Sequence, residues 1–315
     1  MKAAFKYFGI TVKYVLIWLL LTVAAVVVVY FVGFMAMAST GVSIDDFEKA
    51  AMNPWLLSVA LLTADVICLL VFWKRKYTRN WIKYGYSYAK ELSSKKLALY
   101  CVIGAVGCLA LSLVAQEYMP IPVDEDTIEM LGLLLSNPVG IVSACLIGPL
   151  AEEAIFRGAI ERRLLELKWN PWFAIVATAL VFAAVHGNYQ QGTTAFIIGC
   201  FMGWVYYRTR SIWPCFLIHA VNNTAAVALG YALPQTMNDT IGLSVTVGIA
   251  TLLSGLLLIA LSAREIGKMT NDRTPIPEPT DVEQPWPLND QVLADNAPAA
   301  HSEMATPPDY NPQDS

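Results

Sequence analysis

The sequence of 315 residues is far more apolar than that of a soluble globular protein. Hydrophobic residues make up 56% of it and charged residues only 15%, whereas soluble chains carry about 25% charged residues. This composition excludes an ordinary soluble domain and indicates a protein of the lipid bilayer. The formal net charge of -4 says little about partners, because much of the negative charge follows residue 271.

Eight apolar runs are predicted to be membrane-spanning helices, since a helix that crosses about 30 Å of hydrocarbon needs roughly 20 residues. The predicted spans cover residues 14–37, 55–73, 97–115, 138–156, 172–185, 195–207, 212–233 and 241–261. The first run, about 24 residues long, exceeds the 7 to 15 residues of a signal-peptide core, so we expect an uncleaved anchor. The fifth and sixth runs are short and are expected to be extended, tilted or partly inserted. The predicted fold is an all-α, polytopic transmembrane helix bundle.

The basic residues collect on one side of these spans, which sets the expected orientation. Of the 21 Lys and Arg residues, only Lys49 falls in a predicted outer loop. Both termini are therefore expected in the cytoplasm, with the protein in the cell's inner (cytoplasmic) membrane. Because this pattern accounts for the basic charge, the expected partner surface is the lipid bilayer, and no nucleic-acid partner is expected.

Composition divides the chain into three predicted parts. Residues 1–130 hold the first three spans and their loops, and residues 131–268 hold the remaining spans. Residues 269–315 are rich in Pro, Asp and Glu and poor in large aliphatic residues. Such a segment cannot bury enough apolar surface to offset its chain entropy, so we expect a disordered cytoplasmic tail.

The most informative residues are ionisable groups at membrane depth, where each must face a partner, a cavity or the bundle interior. Glu152, Glu153 and Arg157 form the densest such cluster. Glu153 and Arg157 are four residues apart, a spacing that brings two side chains together on one helix face. We therefore expect a structural ion pair between them. Glu152 projects about 100° further around the helix without that partner, and it is the better candidate for a reactive carboxylate.

Two histidines, His186 and His219, lie within the apolar spans. A lone buried histidine is more often a hydrogen-bonded core residue than a catalyst. Two of them with two glutamates in one bundle favour a reactive site, because histidine exchanges protons near neutral pH. Asn223 follows His219 by four residues and shares its helix face. An amide in that position can donate a hydrogen bond to a developing oxyanion.

At these positions the sequence resembles the CPBP family of intramembrane endopeptidases, which takes in CAAX proteases, bacteriocin-processing enzymes and abortive-infection proteins. The likeness covers about a third of the chain. The three family motifs EExxxR, FxxxH and HxxxN occur in order, and they read here as Glu152, Glu153 and Arg157, then Phe182 and His186, then His219 and Asn223.

The resemblance implies an endopeptidase that hydrolyses a peptide bond of a membrane-associated protein or peptide near the cytoplasmic face, with residues 131–268 as the catalytic domain. The implied catalytic residues are Glu152 and His186, which activate a water, and His219 and Asn223, which bind the oxyanion. The family has been described both as metal-dependent and as a metal-free glutamate protease. Glu152, His186 and His219 supply three potential ligands for one zinc ion, but there is no HExxH motif, so both mechanisms stay open.

Two other functions stay open on the sequence alone. Buried carboxylates and histidines also form proton relays, so a proton-coupled membrane transporter is one alternative. A non-catalytic membrane scaffold or immunity protein of the same fold is another. The sequence shows no inverted repeat, which argues against transport, and the intact motifs argue against a non-catalytic role. Asp65, in the middle of the second span, is interpreted first as a structural hydrogen-bonding residue and second as part of a relay or substrate site.

Overall fold

The structure is a computed structural model that describes residues 2–39, 52–74, 94–119, 125–165, 170–232 and 244–270. Within those ranges all regular secondary structure is helical, which confirms the predicted all-α, polytopic bundle. The predicted disordered tail from residue 271 onward and the basic loop at residues 75–93 lie outside the described residues.

The described ranges form nine helices, numbered here in chain order. They are α1 (Lys2–Ala38), α2 (Pro54–Lys74), α3 (Ser94–Tyr118), α4 (Glu125–Leu135), α5 (Pro138–Leu165), α6 (Pro171–Ala184), α7 (Tyr189–Thr209), α8 (Ile212–Ala232) and α9 (Val245–Met269). Six of them, α1, α2, α3, α5, α8 and α9, are long and apolar enough to cross a membrane. The chain is therefore a multi-pass membrane protein. The other two predicted spans are the helices α6, with 14 residues, and α7, with 21.

Helix α4 does not correspond to any predicted span. It has 11 residues and begins with Glu125 and Asp126, which suits the positive end of the helix dipole. Only Leu134 of this helix is buried. Eleven residues are too few to cross the hydrocarbon, so α4 is a short amphipathic helix in a segment that the sequence indicated only as an outer loop.

Helix α5 carries the first motif, and its start is fixed to α2 by side-chain hydrogen bonds. Asn137 accepts a hydrogen bond from the backbone N–H of Gly140 and thereby caps the helix, while Pro138 occupies the first turn, where a missing N–H costs nothing. The Asn137 amide also donates to Ser58 Oγ at 2.8 Å and to the Pro54 carbonyl at 3.2 Å. These bonds set the position from which α5 enters the bundle.

Two π-helical stretches interrupt α5 on either side of the glutamates. They cover Ser143–Ile147 and Ala154–Glu161, and the six α-helical residues Gly148–Glu153 lie between them. In a π-helical turn each N–H bonds to a carbonyl five residues back, so one extra residue is accommodated per turn. Such turns are frequent at functional sites, and here they decide which way the glutamates point.

Helices α3 and α9 approach each other closely where both carry glycine. A Cβ atom on Gly107 would lie 2.8 Å from the Gly255 carbonyl oxygen, and one on Gly255 would lie 3.0 Å from the Gly107 carbonyl oxygen. Small residues of this kind let two membrane helices bring their backbones together. This contact packs α9 onto α3, which in turn packs against α7 and α8.

Replacing Gly107 with alanine is expected to force α3 and α9 apart, because the new methyl group would meet backbone atoms that cannot move independently. The expected cost is about 1–3 kcal/mol of stability, measured as a lower midpoint of thermal unfolding in detergent. Gly132→Ala is the matched control, since a Cβ atom on Gly132 meets nothing within 4 Å; it should gain about 0.5–1 kcal/mol from the better helix former. Equal effects of both substitutions would contradict the close approach.

Candidate active site

The motif residues come from three helices and one turn, with Phe182 on α6. Glu152, Glu153 and Arg157 lie on α5, His219 and Asn223 lie on α8, and His186 lies in the turn between α6 and α7. The structure brings both glutamates to His219, ties Asn223 to an earlier part of α5, and links His186 to the others through the ring of Phe182.

His219 lies between the two glutamates and is buried. Its Nδ1 is 3.0 Å from Glu153 Oε1, and its Nε2 is 3.8 Å from Glu152 Oε2. The same Glu153 oxygen accepts a hydrogen bond from Arg157 Nη1 at 2.8 Å. An ionised carboxylate only accepts hydrogen bonds, so this network assigns the proton to Nδ1 of His219. Nε2 is then the nitrogen that faces Glu152 and can exchange a proton with it.

The guanidinium of Arg157 is fully buried, and four groups surround it. Besides Glu153, it meets the Gly199 carbonyl at 3.2 Å, Glu161 Oε2 at 3.8 Å, and the face of the Phe182 ring at 4.9 Å. A buried charge is tolerated only when it is paired and hydrogen-bonded, and a cation over an aromatic face adds a further attraction. Arg157 thus holds α5, α6 and α7 together.

Glu161 is a third buried carboxylate that the sequence reasoning did not single out. It follows Arg157 by four residues, just as Arg157 follows Glu153. This spacing is the sequence feature from which a contact between Glu161 and Arg157 could have been predicted. Its side chain is 1% exposed. A Cβ atom on Gly203 would lie 3.0 Å from Glu161 Oε2, so the glycine on α7 leaves space for this carboxylate. Arg157 therefore lies between two acidic side chains of its own helix.

The two adjacent glutamates differ in their access to solvent. The Glu152 side chain is 24% exposed, while that of Glu153 is completely buried. Glu153 binds both Arg157 and His219, so its charge is already committed to two partners. Among the described residues, the ion-pair contact of Glu152 is its longer approach to His219 Nε2. Of the two, only Glu152 has side-chain surface that the described part of the protein leaves uncovered.

His186 lies just beyond the end of α6. Its Nδ1 is 2.7 Å from the Phe182 carbonyl oxygen, and because a carbonyl only accepts, Nδ1 carries the proton and Nε2 is an acceptor. Gly187 follows with a φ of +74°, a left-handed conformation that glycine adopts without strain. This residue allows the chain to turn from α6 into α7 immediately after the histidine.

The Phe182 ring connects the two histidines. Its centroid is 4.9 Å from that of His186 and 5.6 Å from that of His219, both edge to face. The two imidazoles can therefore be no farther apart than the sum of these distances. Phe182 itself is 1% exposed, so the aromatic position of the FxxxH motif lies in the interior, between the histidines and Arg157.

Asn223 is oriented by two hydrogen bonds. Its Nδ2 donates to the Ala144 carbonyl oxygen at 2.9 Å, and its Oδ1 accepts from the Asn222 amide at 3.3 Å. A primary amide has two N–H donors and one oxygen. These two bonds use the oxygen and one donor, which leaves the second N–H of Asn223 available to another group.

Asp65 reaches α5 from α2. Ser143 Oγ donates a hydrogen bond of 2.7 Å to Asp65 Oδ2, which confirms the interpretation of Asp65 as a residue that bonds to a neighbouring helix. A Cβ atom on Gly148 would lie 3.3 Å from the same oxygen. Gly148 precedes Glu152 by four residues, so Asp65 lies against the same face of α5, one turn earlier.

The predicted zinc ligands Glu152, His186 and His219 do not form a ready metal site. In the described part of the chain, no three His, Cys, Asp or Glu side chains are arranged to hold a metal ion. In both histidines Nδ1 takes part in a hydrogen bond, which leaves Nε2 as the nitrogen that could bind a metal, the usual arrangement of metal-binding histidines. A zinc ion held by Glu152, His186 and His219 stays a prediction, and no step of the mechanism is assigned to a metal.

We expect Arg157 and Glu153 to be needed for folding, and Glu152 to be dispensable for it. Arg157→Ala leaves two buried carboxylates without their cation and should cost about 3–5 kcal/mol. Glu153→Ala should cost less, because Glu161 still faces the guanidinium. Protein abundance and thermal unfolding in membrane extracts measure the effect, with Glu152→Ala as the control at the adjacent position. An equal depletion of Glu152→Ala would contradict this division between structural and reactive carboxylates.

Comparison with known proteins finds similarity over the segment that carries the motifs. The family model described as Type II CAAX prenyl endopeptidase Rce1-like matches residues 134–225. A curated protein of Bacillus subtilis (strain 168), named "Putative membrane peptidase YdiL", is 30% identical over 105 residues, which are 33% of this chain and 43% of that protein. The chain thus aligns with less than half of that relative's length. None of the solved structures matches the chain significantly. The matched segment holds every motif residue from Glu152 to Asn223, and over this segment the chain is similar to that family.

Proposed function

We propose that the protein is an intramembrane endopeptidase that cleaves a membrane-associated protein or peptide near the cytoplasmic face of the inner membrane. The observation that carries the proposal is the contact of His219 with both glutamates, of which only Glu152 has side-chain surface left uncovered by the described part of the protein. The names of the matching family model and of the B. subtilis relative support the same class of reaction.

Glu152 is the proposed general base. It would take a proton from a water molecule as the water oxygen forms a bond to the carbonyl carbon of the substrate. The pair of electrons from the C=O bond then resides on the oxygen, and the proton passes from Glu152 to the leaving nitrogen as the C–N bond breaks. A carboxylate that stays partly solvated beside an imidazole suits both proton transfers. Glu153 is not suited to these proton transfers, because its carboxylate is hydrogen-bonded to Arg157 and His219.

The histidines and Asn223 complete the proposed mechanism. Nε2 of His186 is an acceptor and can orient the attacking water, while the free N–H of Asn223 can donate to the oxyanion. His219, whose Nε2 faces Glu152, can support the oxyanion or exchange a proton with the base. The amide of Asn223 is already fixed by its two hydrogen bonds. A donor fixed in advance stabilises the transition state without a cost of reorganisation.

Removal of the base should abolish cleavage while leaving the fold intact. We expect Glu152→Gln to lower kcat by about 10²–10⁴, the usual contribution of a general base. The assay is identification of peptide products by mass spectrometry from purified protein in proteoliposomes that contain membrane proteins of the source cell. Glu129→Gln, the same substitution at an exposed position of α4, should retain the wild-type rate.

The products distinguish the proposal from its alternatives. A proton-coupled transporter or a non-catalytic scaffold would yield no peptide that is absent from the Glu152→Gln sample, and that result would refute the proposed function. Adding a chelator to the wild-type reaction separates the two descriptions of the family: unchanged cleavage supports the glutamate mechanism, and loss of cleavage that zinc restores supports a metal-dependent one.

The proposed location of the site rests on an orientation with both termini in the cytoplasm. We expect a cysteine at position 39, at the end of α1, to react with a membrane-impermeant thiol reagent in intact cells. A cysteine at position 302 should react only after the membrane is permeabilised. The cysteines of the described helices are buried or partly buried, so the background should be low. Labelling of position 302 in intact cells would reverse the orientation.

A further inference from the structure

The carbonyl of Ala144 has lost both of its usual backbone partners. In the first π-helical stretch of α5, the Gly148 N–H bonds to the Ser143 carbonyl, five residues back. That N–H would serve Ala144 in a regular α-helix. At the π-helical spacing the donor for Ala144 would be residue 149, which is a proline and has no N–H. Ala144 therefore presents a partly buried acceptor that these two positions of its own helix cannot satisfy.

Asn223 supplies the missing donor from α8. Its Nδ2 is 2.9 Å from the Ala144 carbonyl oxygen, which meets the requirement that a buried carbonyl be hydrogen-bonded. The same bond fixes the side chain of Asn223 against α5, within the face that carries Glu152 about two turns further along. The orientation of this amide thus depends on a carbonyl that is open only because residue 149 is a proline.

We infer that Pro149 is a positioning residue for Asn223, acting through the Ala144 carbonyl. The inference deepens the proposed function, on which its catalytic part rests. An N–H at position 149 would lie at the same spacing from Ala144 as Gly148 lies from Ser143, and it would compete with Asn223 for the oxygen. The amide of Asn223 would then lose the bond that aims its free N–H.

A purely structural role for Pro149 makes a different prediction. A proline inside a helix destabilises it, so alanine at position 149 would raise the melting temperature and leave turnover unchanged if the ring only shaped α5. A positioning role predicts that turnover falls although the fold becomes no weaker.

The catalytic test compares wild type, Pro149→Ala, Asn223→Ala and the double variant in the peptidase assay. We expect Pro149→Ala to lower kcat by about tenfold with KM unchanged, a smaller loss than the ~10²–10³ caused by deleting an oxyanion donor outright. In the Asn223→Ala background, Pro149→Ala should have no further effect. Pro138→Ala is the matched control. Pro138 lies in the first turn of α5, where a restored N–H would have no carbonyl of the helix to bond to. Independent, additive losses from Pro149→Ala and Asn223→Ala would overturn the inference.

Thermal unfolding of the same four proteins tests the hydrogen bond between Asn223 and Ala144 independently of catalytic activity. Asn223→Ala should lower the melting temperature when Pro149 is present, because the Ala144 carbonyl is left without a donor, and should lower it less when residue 149 has an N–H. If the wild-type protein cleaves nothing, the proposed function fails. The melting temperatures of the four proteins then decide by themselves whether Pro149 acts through Ala144. Should Pro149→Ala not accumulate, Pro149→Gly restores the same N–H without a side chain. Equal shifts in both backgrounds would show that Pro149 does not act through Ala144.

Discussion

The burial of one positive charge constrains the whole site. The guanidinium of Arg157 is shielded from solvent and must be neutralised where it lies, so its partners come from three helices: two carboxylates on α5, the ring of Phe182 on α6 and the Gly199 carbonyl on α7. Glu153, held by this charge, in turn binds His219 of α8. One requirement of electrostatics thus fixes the relative positions of the four helices α5, α6, α7 and α8.

Because the charge network extends through the bundle, the adjacent glutamates acquire different properties. Glu153 balances Arg157 and cannot change its charge without disturbing α6 and α7. Glu152 lies on the edge of the same network, near His219 and with part of its side chain uncovered, and in the proposed mechanism it is the carboxylate that takes up and releases the proton. This division follows from the arrangement of partners, since the two residues are chemically identical and consecutive.

Much of the fold could be predicted from the sequence, because uninterrupted apolar runs of about 20 residues have few other uses. The Glu153–Arg157 contact was likewise predictable from a spacing of four on one helix. The contacts of His219 and Asn223 were not, since they depend on how α8 packs against α5. Helix α4 was missed because its 11 residues are too few for a span and begin with acidic residues. Glu161 was overlooked although its spacing from Arg157 repeats that of Glu153.

The π-helical turns of α5 were the feature hardest to recognise from the sequence. They also determine where the helix can lose a residue. Each such turn contains one residue more than an α-helix would need. Deleting a single residue from Ser143–Ile147 could restore regular α-helical geometry, and because the shortened turn is still one full turn, the Asn137 cap and the glutamates would keep nearly the same relative rotation. A deletion among the regular α-helical residues of Gly148–Glu153 would instead rotate the parts of α5 on either side by about 100° relative to each other. Single-residue deletions should therefore be better tolerated in Ser143–Ile147 than in Gly148–Glu153.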